Sequence, residues 1–283
     1  MNILYLVFGQ RISDHLQAHL SIRTFLQQAV EGVEIYVITT APQFYTQFSR
    51  INVIAITDET LREWEGPMHF FWRVKIKAIE YMAQHFPGRH LCYLDSDTFL
   101  TGSLAELKQQ LDMGKGMMHL DEGHPMNMKT KSLRMWKRVA GHTYGGVTLG
   151  PRHDMWNAGV VAVPASQLNK VVSLALQLCD GMLADEAERV VIEQYSLSIA
   201  LFEVTGLQPA LPWIGHYWGN KDEWNALAQK FFLESYMTGR TFEQEIEALP
   251  SLHLENIPVY VKKSNTRRRL TNFIAKLFPD KRG

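Results

Sequence analysis

Through the first hundred residues, short apolar runs alternate with segments whose apolar positions recur at helical spacing. That rhythm predicts a parallel sheet covered by helices. Ile3-Leu4-Tyr5-Leu6-Val7-Phe8 is an uninterrupted apolar run that stops at Gly9 and reads as a first strand. Over 15–28, Leu16, Leu20, Phe25 and Leu26 fall close to a helical repeat. Residues 33–39 and 51–56 predict two more strands. The stretch FFWRVKIKAIEYMAQHF, 70–86, predicts a helix that stops before Pro87-Gly88. A fourth apolar run, Leu91-Cys92-Tyr93-Leu94, then leads directly into polar residues.

The second half is less periodic. Residues 112–156 mix Gly, Met, His and Lys and predict a long loop or small excursion over a site. WNAGVVAVP, 156–164, reads as a turn at Asn157-Ala158-Gly159 entering a buried strand. Helices are expected over 168–182, 188–202 and 222–236, with LPWIGHYWGNK between the last two. No internal repeat or Gly/Ser linker divides the chain, so we expect one compact domain over 1–261, with halves 1–111 and 112–261, and an appendage over 262–283.

Composition narrows this picture without redirecting it. A chain of 283 residues, 46% hydrophobic and 20% charged, can build a large α/β core. Lys+Arg and Asp+Glu balance at 29 each, so net charge points to neither nucleic acid nor acidic partners. Cys92 and Cys179 sit in apolar segments without CxxC or zinc spacing and read as core thiols in a reducing compartment. MNILYLVFGQ lacks a basic segment and a small-residue cleavage site, and no run approaches a spanning helix. These features predict a cytoplasmic protein.

The charge distribution says more than its sum. Residues 262–283 hold eight of the 29 basic residues and one of the 29 acidic ones, leaving the rest of the chain at a formal −7. Leu270, Phe273, Ile274 and Leu277 fall at helical spacing beside the basic run, the composition of an interfacial helix on anionic lipid. Nucleic-acid binding would need a recognition fold that the sequence does not show. A solvated tail or a packed terminal helix is the plainer reading.

The candidate chemistry begins at LCYLDSDTFLT, 91–101. If the strand continues, alternation points Asp95 and Asp97 to one face, where two carboxylates repel unless a cation lies between them. They fall at the carboxyl end of a strand, where open α/β sheets bind ligands. Two carboxylates with phosphate oxygens suit Mg²⁺ or Mn²⁺, which points to a nucleotide diphosphate.

YLDSDTFL, with the Arg73-bearing helix before it and WNAGVVAVP after it, resembles the GT-A-fold glycosyltransferases of the glycogenin and lipopolysaccharide galactosyltransferase group. The resemblance implies an α/β fold with a mostly parallel, Rossmann-like sheet flanked by helices. It implies a sugar transferred, with retention, from a nucleotide-diphosphate sugar, UDP favoured, to a glycan or lipid-linked acceptor, as in lipopolysaccharide or envelope polysaccharide synthesis. The halves 1–111 and 112–261 become a nucleotide-binding half and an acceptor and metal-completing half. Asp95 and Asp97 become metal ligands, with Phe8, Gly9 and Ser96 beside the nucleotide.

In HYWGNK, His216 and Gly219 keep the spacing of a family His-x-x-Gly-x-x-Lys-Pro-Trp motif, whereas Lys221 comes one residue early, no proline follows and Trp224 is displaced. The resemblance makes His216 the third metal ligand and Lys221 a phosphate clamp; a hydrogen-bonded loop histidine is the alternative. It sets one base of the 70–86 helix against the donor phosphates. Arg73 is favoured over Lys75, since residues two apart point to different helix faces. Asn157 is expected at the donor hydroxyls, with Gly159 allowing close backbone approach. Glu193-Gln194 resembles an acidic-Gln pair near the anomeric carbon, where it could stabilise an oxocarbenium-like transition state; solvated helix positions would look the same.

Two rival readings stand. DSDT also fits the Asp-x-Asp-x-Thr signature of haloacid-dehalogenase-like phosphatases, which normally place it on the first strand and require a downstream acidic pair that is missing here. A non-catalytic binding module on the same fold is the other, opposed by the Asp95, Asp97 and His216 set.

Overall fold

A computed structural model describes residues 1–128 and 131–262; the basic appendage expected over 262–283 lies outside the described residues except for Lys262. In chain order the first half contains β1 (Asn2–Val7), α1 (Ile12–Leu26), β2 (Glu34–Thr39), β3 (Asn52–Ala55), α2 (Asp58–Glu65), α3 (Arg73–His85), β4 (Leu91–Leu94), β5 (Thr98–Leu100) and α4 (Leu104–Asp112). The second half adds β6 (Gly116–Met118), β7 (Asp121–Gly123), α5 (Lys131–Val139), β8 (Thr143–Tyr144), β9 (Val147–Thr148), β10 (Met155–Trp156) and β11 (Val160–Val163). After these come α6 (Leu168–Ala184), α7 (Ile192–Thr205), β12 (Leu207–Pro209), β13 (Ile214–His216), α8 (Lys221–Thr238) and α9 (Phe242–Ala248).

One seven-stranded sheet, ordered β12-β6-β11-β4-β1-β2-β3, runs through both halves. Its pairings are parallel except where β11 lies antiparallel between β4 and β6. The fold is therefore α/β with a mostly parallel sheet, as expected, and the 156–164 segment supplies the antiparallel exception. Residues 112–156 are more structured than a loop. Gly116-Met117-Met118 enters the main sheet, and Asp121–Gly123 pairs with Met155–Trp156 across the excursion. The weak periodicity has a physical source, because these strands are two or three residues long, too short to display a repeat.

Both faces of the sheet are covered, and the two-residue strand period sorts side chains between them. Leu4, Leu91, Tyr93, Val161 and Val163 pack with residues of α3, α6 and α7. Ile3, Tyr5, Cys92, Leu94, Val160 and Ala162 pack on the other face with residues of α1 and α4. Both cysteines are free and buried, and burial pushes the Cys92 thiol up to about 12. A third cluster, centred on Phe99, Tyr217 and Trp224, joins α8 to α1. Trp224 stacks flat on Tyr217 with ring centroids 4.3 Å apart, which accounts structurally for the displaced tryptophan. No helix among the described residues is long and apolar enough to cross a membrane.

Candidate active site

The aspartates converge by a route that strand alternation alone does not give. β4 ends at Leu94, and Ser96-Asp97 forms a turn before β5 begins. Asp95 continues the β4 alternation: its amide donates to the Gly159 carbonyl at 2.9 Å, and its Oδ1 accepts from the Tyr93 hydroxyl at 2.9 Å, two residues back on the same face. Asp97 is turned toward a different set of partners. The expectation that both carboxylates share one strand face is thus corrected; the turn, not the pleat, sets their approach.

β5 then pairs antiparallel with β13 and places His216 opposite Thr98. The Tyr217 amide donates to the Asp97 carbonyl at 3.0 Å and locks this register at the turn. Asp95, Asp97 and His216 consequently offer ligand atoms all within 4.8 Å of one another. His216 Nε2 lies 3.4 Å from Asp97 Oδ1, and Lys221 Nζ, at the start of α8, lies 2.9 Å from Asp97 Oδ2. Oδ2 is buried, and the Lys221 ammonium meets it as an ion pair. Burial alone would raise the Asp97 pKa; His216 first and Lys221 next hold it well below the usual carboxylate range.

Asp95 meets Lys75, the other base of the 70–86 helix. Lys75 is buried, with Nζ 3.3 Å from Asp95 Oδ1, 2.9 Å from Glu193 Oε1 and 3.1 Å from the Ala158 carbonyl. It also lies 5.0 Å from the centre of the Tyr93 ring, a cation–π contact. Burial opposes its charge, yet Asp95 and Glu193 raise its pKa. Arg73 instead forks onto Asp180 of α6, at 2.7 and 3.0 Å, and donates to the Trp64 carbonyl. In the donor-free protein the Arg73 guanidinium is engaged by α6 and by the carbonyl of Trp64.

The other expected residues divide between the cluster and its frame. Asn157 is in the cluster, with Oδ1 3.0 Å from His216 Nδ1. Gln194 Oε1 accepts from the Ala158 amide at 3.4 Å. Glu193, expected near the anomeric carbon, is buried and bound by Lys75. Gly159 serves the histidine: a Cβ there would overlap the His216 imidazole. Gly219 bridges to Tyr260, whose ring would meet a Cβ at that position, so its need for glycine is met by the frame. Ser96 Oγ donates to Gln17 Oε1 at 3.1 Å. Gly9, with φ +76°, turns the chain after β1 and its amide donates to Thr40, while Phe8 packs edge-on against Phe71.

Sequence reasoning missed two residues. His119 is buried edge-on to His216 with centroids 5.2 Å apart; burial and then His216 lower its pKa to about 4. Glu122 accepts from Asn157 Nδ2 at 3.1 Å and from Gln194 Nε2 at 2.9 Å. Both lie in the aperiodic 112–156 stretch, and only their placement after a sheet strand could have signalled them.

No protein-family model and no curated protein matches the sequence. Among solved structures, the chain is similar to mouse xyloside xylosyltransferase 1 in its apo form, at 12% identity over 74% of this chain and 85% of that one, with a TM-score of 0.46. It is also similar to the galactosyltransferase LgtC in complex with donor and acceptor sugar analogs, at 11% identity over 74% and 73%, TM-score 0.49. A third, the bifunctional glycosyltransferase WbbM, shows 11% identity over 74% of this chain and 38% of that one, TM-score 0.43. Each of the three is named as a glycosyltransferase, the group that the sequence motifs resemble.

Proposed function

We propose that this chain is a divalent-metal-dependent glycosyltransferase that takes a sugar from a nucleotide-diphosphate sugar, UDP favoured, to a glycan or lipid-linked acceptor. The observation that carries the reading is the meeting of Asp95, Asp97 and His216 at the carboxyl end of β4, inside one sheet of mostly parallel strands. The donor set fits a metal: two hard carboxylates and one imidazole whose ligand atoms lie within 4.8 Å of one another. Imidazole favours Mn²⁺ over Mg²⁺. When bound, the ion supplies Lewis-acid neutralisation of the charge that develops on a departing diphosphate.

The chain's own groups have separate tasks in this reading. Lys221, half-exposed on α8, is free to turn from Asp97 to a donor phosphate. Lys75 holds Asp95 in place from below. The amides of Asn157 and Gln194 face the donor sugar, and Phe8, Gly9 and Ser96 border the nucleotide. The resemblance implies retention, which NMR of the first-formed anomer reads directly. A phosphatase would need a further acidic pair at the DSDT motif; the groups that meet Asp97 are His216 and Lys221.

The basic appendage gives this enzyme a cytoplasmic membrane face to work on, near a lipid-linked glycan. Sedimentation with vesicles tests it: binding to anionic vesicles that weakens with salt and disappears on deletion of 262–283 supports the anchor, and equal binding to neutral vesicles rejects it. The central test is donor hydrolysis with a panel of nucleotide sugars and Mn²⁺. Activity that survives the combined Asp95→Ala and Asp97→Ala changes would remove the assignment.

A further inference from the structure

His216 closes β13 and Lys221 opens α8, and the stretch between them, Tyr217-Trp218-Gly219-Asn220, is gripped from two sides. Beneath it, the Tyr217 amide donates to the Asp97 carbonyl at 3.0 Å, and the Asn220 amide donates to the Tyr217 carbonyl at 2.9 Å. The second grip comes from 258–261, a segment that follows α9 in the chain. Tyr260 bridges in parallel to Gly219, and the Val261 amide donates to the Gly219 carbonyl at 3.3 Å. The Pro258 carbonyl accepts from Asn220 Nδ2 at 2.7 Å and from Trp224 Nε1 at 3.2 Å. The other hydrogen of the Asn220 amide goes to Glu223 Oε2 at 2.7 Å, so both of its donors are committed. Asn220 is buried, while Trp218 and Tyr260 lie half-exposed with ring centroids 5.4 Å apart, which puts 258–261 on the solvent side of the loop.

The glycine in this loop records how close the grip is. Gly219 has a backbone conformation open to any residue, yet a Cβ there would overlap the Tyr260 ring. Glycine is needed at this position by the ring and not by the turn. Asn220 is the N-cap of α8, so a displaced Gly219-Asn220 step carries Lys221, the first residue of the helix, with it. We infer that 258–261 is a strap, and that Pro258 and Tyr260 are positioning residues which hold Lys221 over Asp97 by acting on Asn220 and Gly219. The effect on the donor rests on the reading of Lys221 as a phosphate clamp; the placement of the loop does not.

The test uses the full chain and two readouts, donor KM and hydrogen exchange of the Tyr217 and Asn220 amides in the donor-free protein. Tyr260→Ala lifts an exposed ring off Gly219 and should raise the KM several-fold and speed the exchange. Gly219→Ala forces the strap off the loop and should raise the KM by about 10-fold or more, since a misplacement of about 1 Å in a positioned group can cost about 100-fold. Combining the two removes the overlap, so the pair should be no worse than Tyr260→Ala alone, a recovery that a general loss of stability would not produce. Lys221→Met should mask the KM effect of Gly219→Ala, because the strap acts through that lysine. Unchanged KM and exchange in Tyr260→Ala would overturn the inference, even if Gly219→Ala fails to fold. So would a pair that does not recover, or a KM effect of Gly219→Ala that persists in full beside Lys221→Met. If no nucleotide sugar is turned over, or Lys221→Met leaves the donor KM at the wild-type value, the clamp reading falls and exchange alone decides the strap: faster in Gly219→Ala and recovered in the pair upholds it, and unchanged rejects it.

Discussion

Asp95 and Asp97 are two residues apart, and the protein gives each a cation of a different kind. Asp95 is 31% exposed, while its partner Lys75 is 9% exposed and wedged against Glu193. Asp97 is 4% exposed, while Lys221 above it is 47% exposed and His216 beside it is buried. In the first corner the cation is part of the core and cannot leave without stranding a buried carboxylate. In the second the carboxylate is fixed and the lysine has solvent to move into. The difference separates a buried charge that is part of the scaffold, Lys75, from a half-exposed one, Lys221, which the proposed function would set against a donor phosphate.

The largest expected effect removes the contrast altogether. On the proposed function, Asp95→Ala with Asp97→Ala removes two of the three groups that would hold the metal, and metal-assisted departure of a diphosphate is worth several kcal/mol. Metal-dependent donor hydrolysis should therefore fall by about 1,000-fold or more, measured as nucleotide release with Mn²⁺ present.

Lys75 and Lys221 should then fail in opposite ways. Lys75→Met leaves Glu193 buried and unpaired, the situation that costs about 3–5 kcal/mol of stability. Adding Glu193→Leu should recover much of that loss, because an apolar replacement of both partners is close to neutral. Lys221→Met removes a half-exposed group, so its melting temperature should stay near wild type while kcat/KM for the donor falls. Thermal denaturation and donor kinetics on the same three variants check both halves. A large stability loss in Lys221→Met would dissolve the distinction between scaffold and mobile charge.

The acid limb of stability offers a smaller and more specific reading. The folded pKa of Asp97 is depressed below its ordinary value of 3.8, so its contribution is present above that value and is lost as pH falls through the lower, folded one. In Asp97→Asn the slope of unfolding free energy against pH below about 4 should lessen by up to about one proton. Urea titrations at stepped pH measure this. An unaltered slope would place the acid sensitivity elsewhere.

How much of this could be read in the sequence depends on the length of the pattern and the reach of the contact. The strands of the first half were legible because runs such as 3–8 and 91–94 are buried on both faces, and their period sorts into two packed layers. β6, β7 and β10 were not, because a two- or three-residue strand shows no period. The metal-like triad was legible through its residue types and spacing, yet its geometry depends on a turn at Ser96-Asp97 and on β5 pairing with β13, more than a hundred residues away. Glu122 and His119 gave no local signal, since their partners come from the turn after β10, from β13 and from α7. Arg73 and Lys75 show the limit most directly. Helix periodicity places the two on different faces, but the partners each finds, Asp180 on α6 for Arg73 and Asp95 with Glu193 for Lys75, come from segments that their own spacing does not reveal.

That pair gives the smallest expected effect and the sharpest control. Arg73 forks onto Asp180, which is 47% exposed, and also holds the Trp64 carbonyl. Arg73→Lys keeps the charge and loses the bidentate fork, so the exchange should cost about 1 kcal/mol of stability, the upper range for pairs open to solvent. Because the guanidinium is committed to α6 and the carbonyl before α3, the donor KM and the Mn²⁺ affinity should remain within about twofold, a difference of about 0.4 kcal/mol. The check is donor kinetics and a Mn²⁺ titration on Arg73→Lys beside Lys75→Arg, which keeps charge at the buried site but forces a planar group into the space of an ammonium. If Arg73→Lys impairs donor binding more than Lys75→Arg does, the phosphate-facing base is Arg73, the one the sequence favoured.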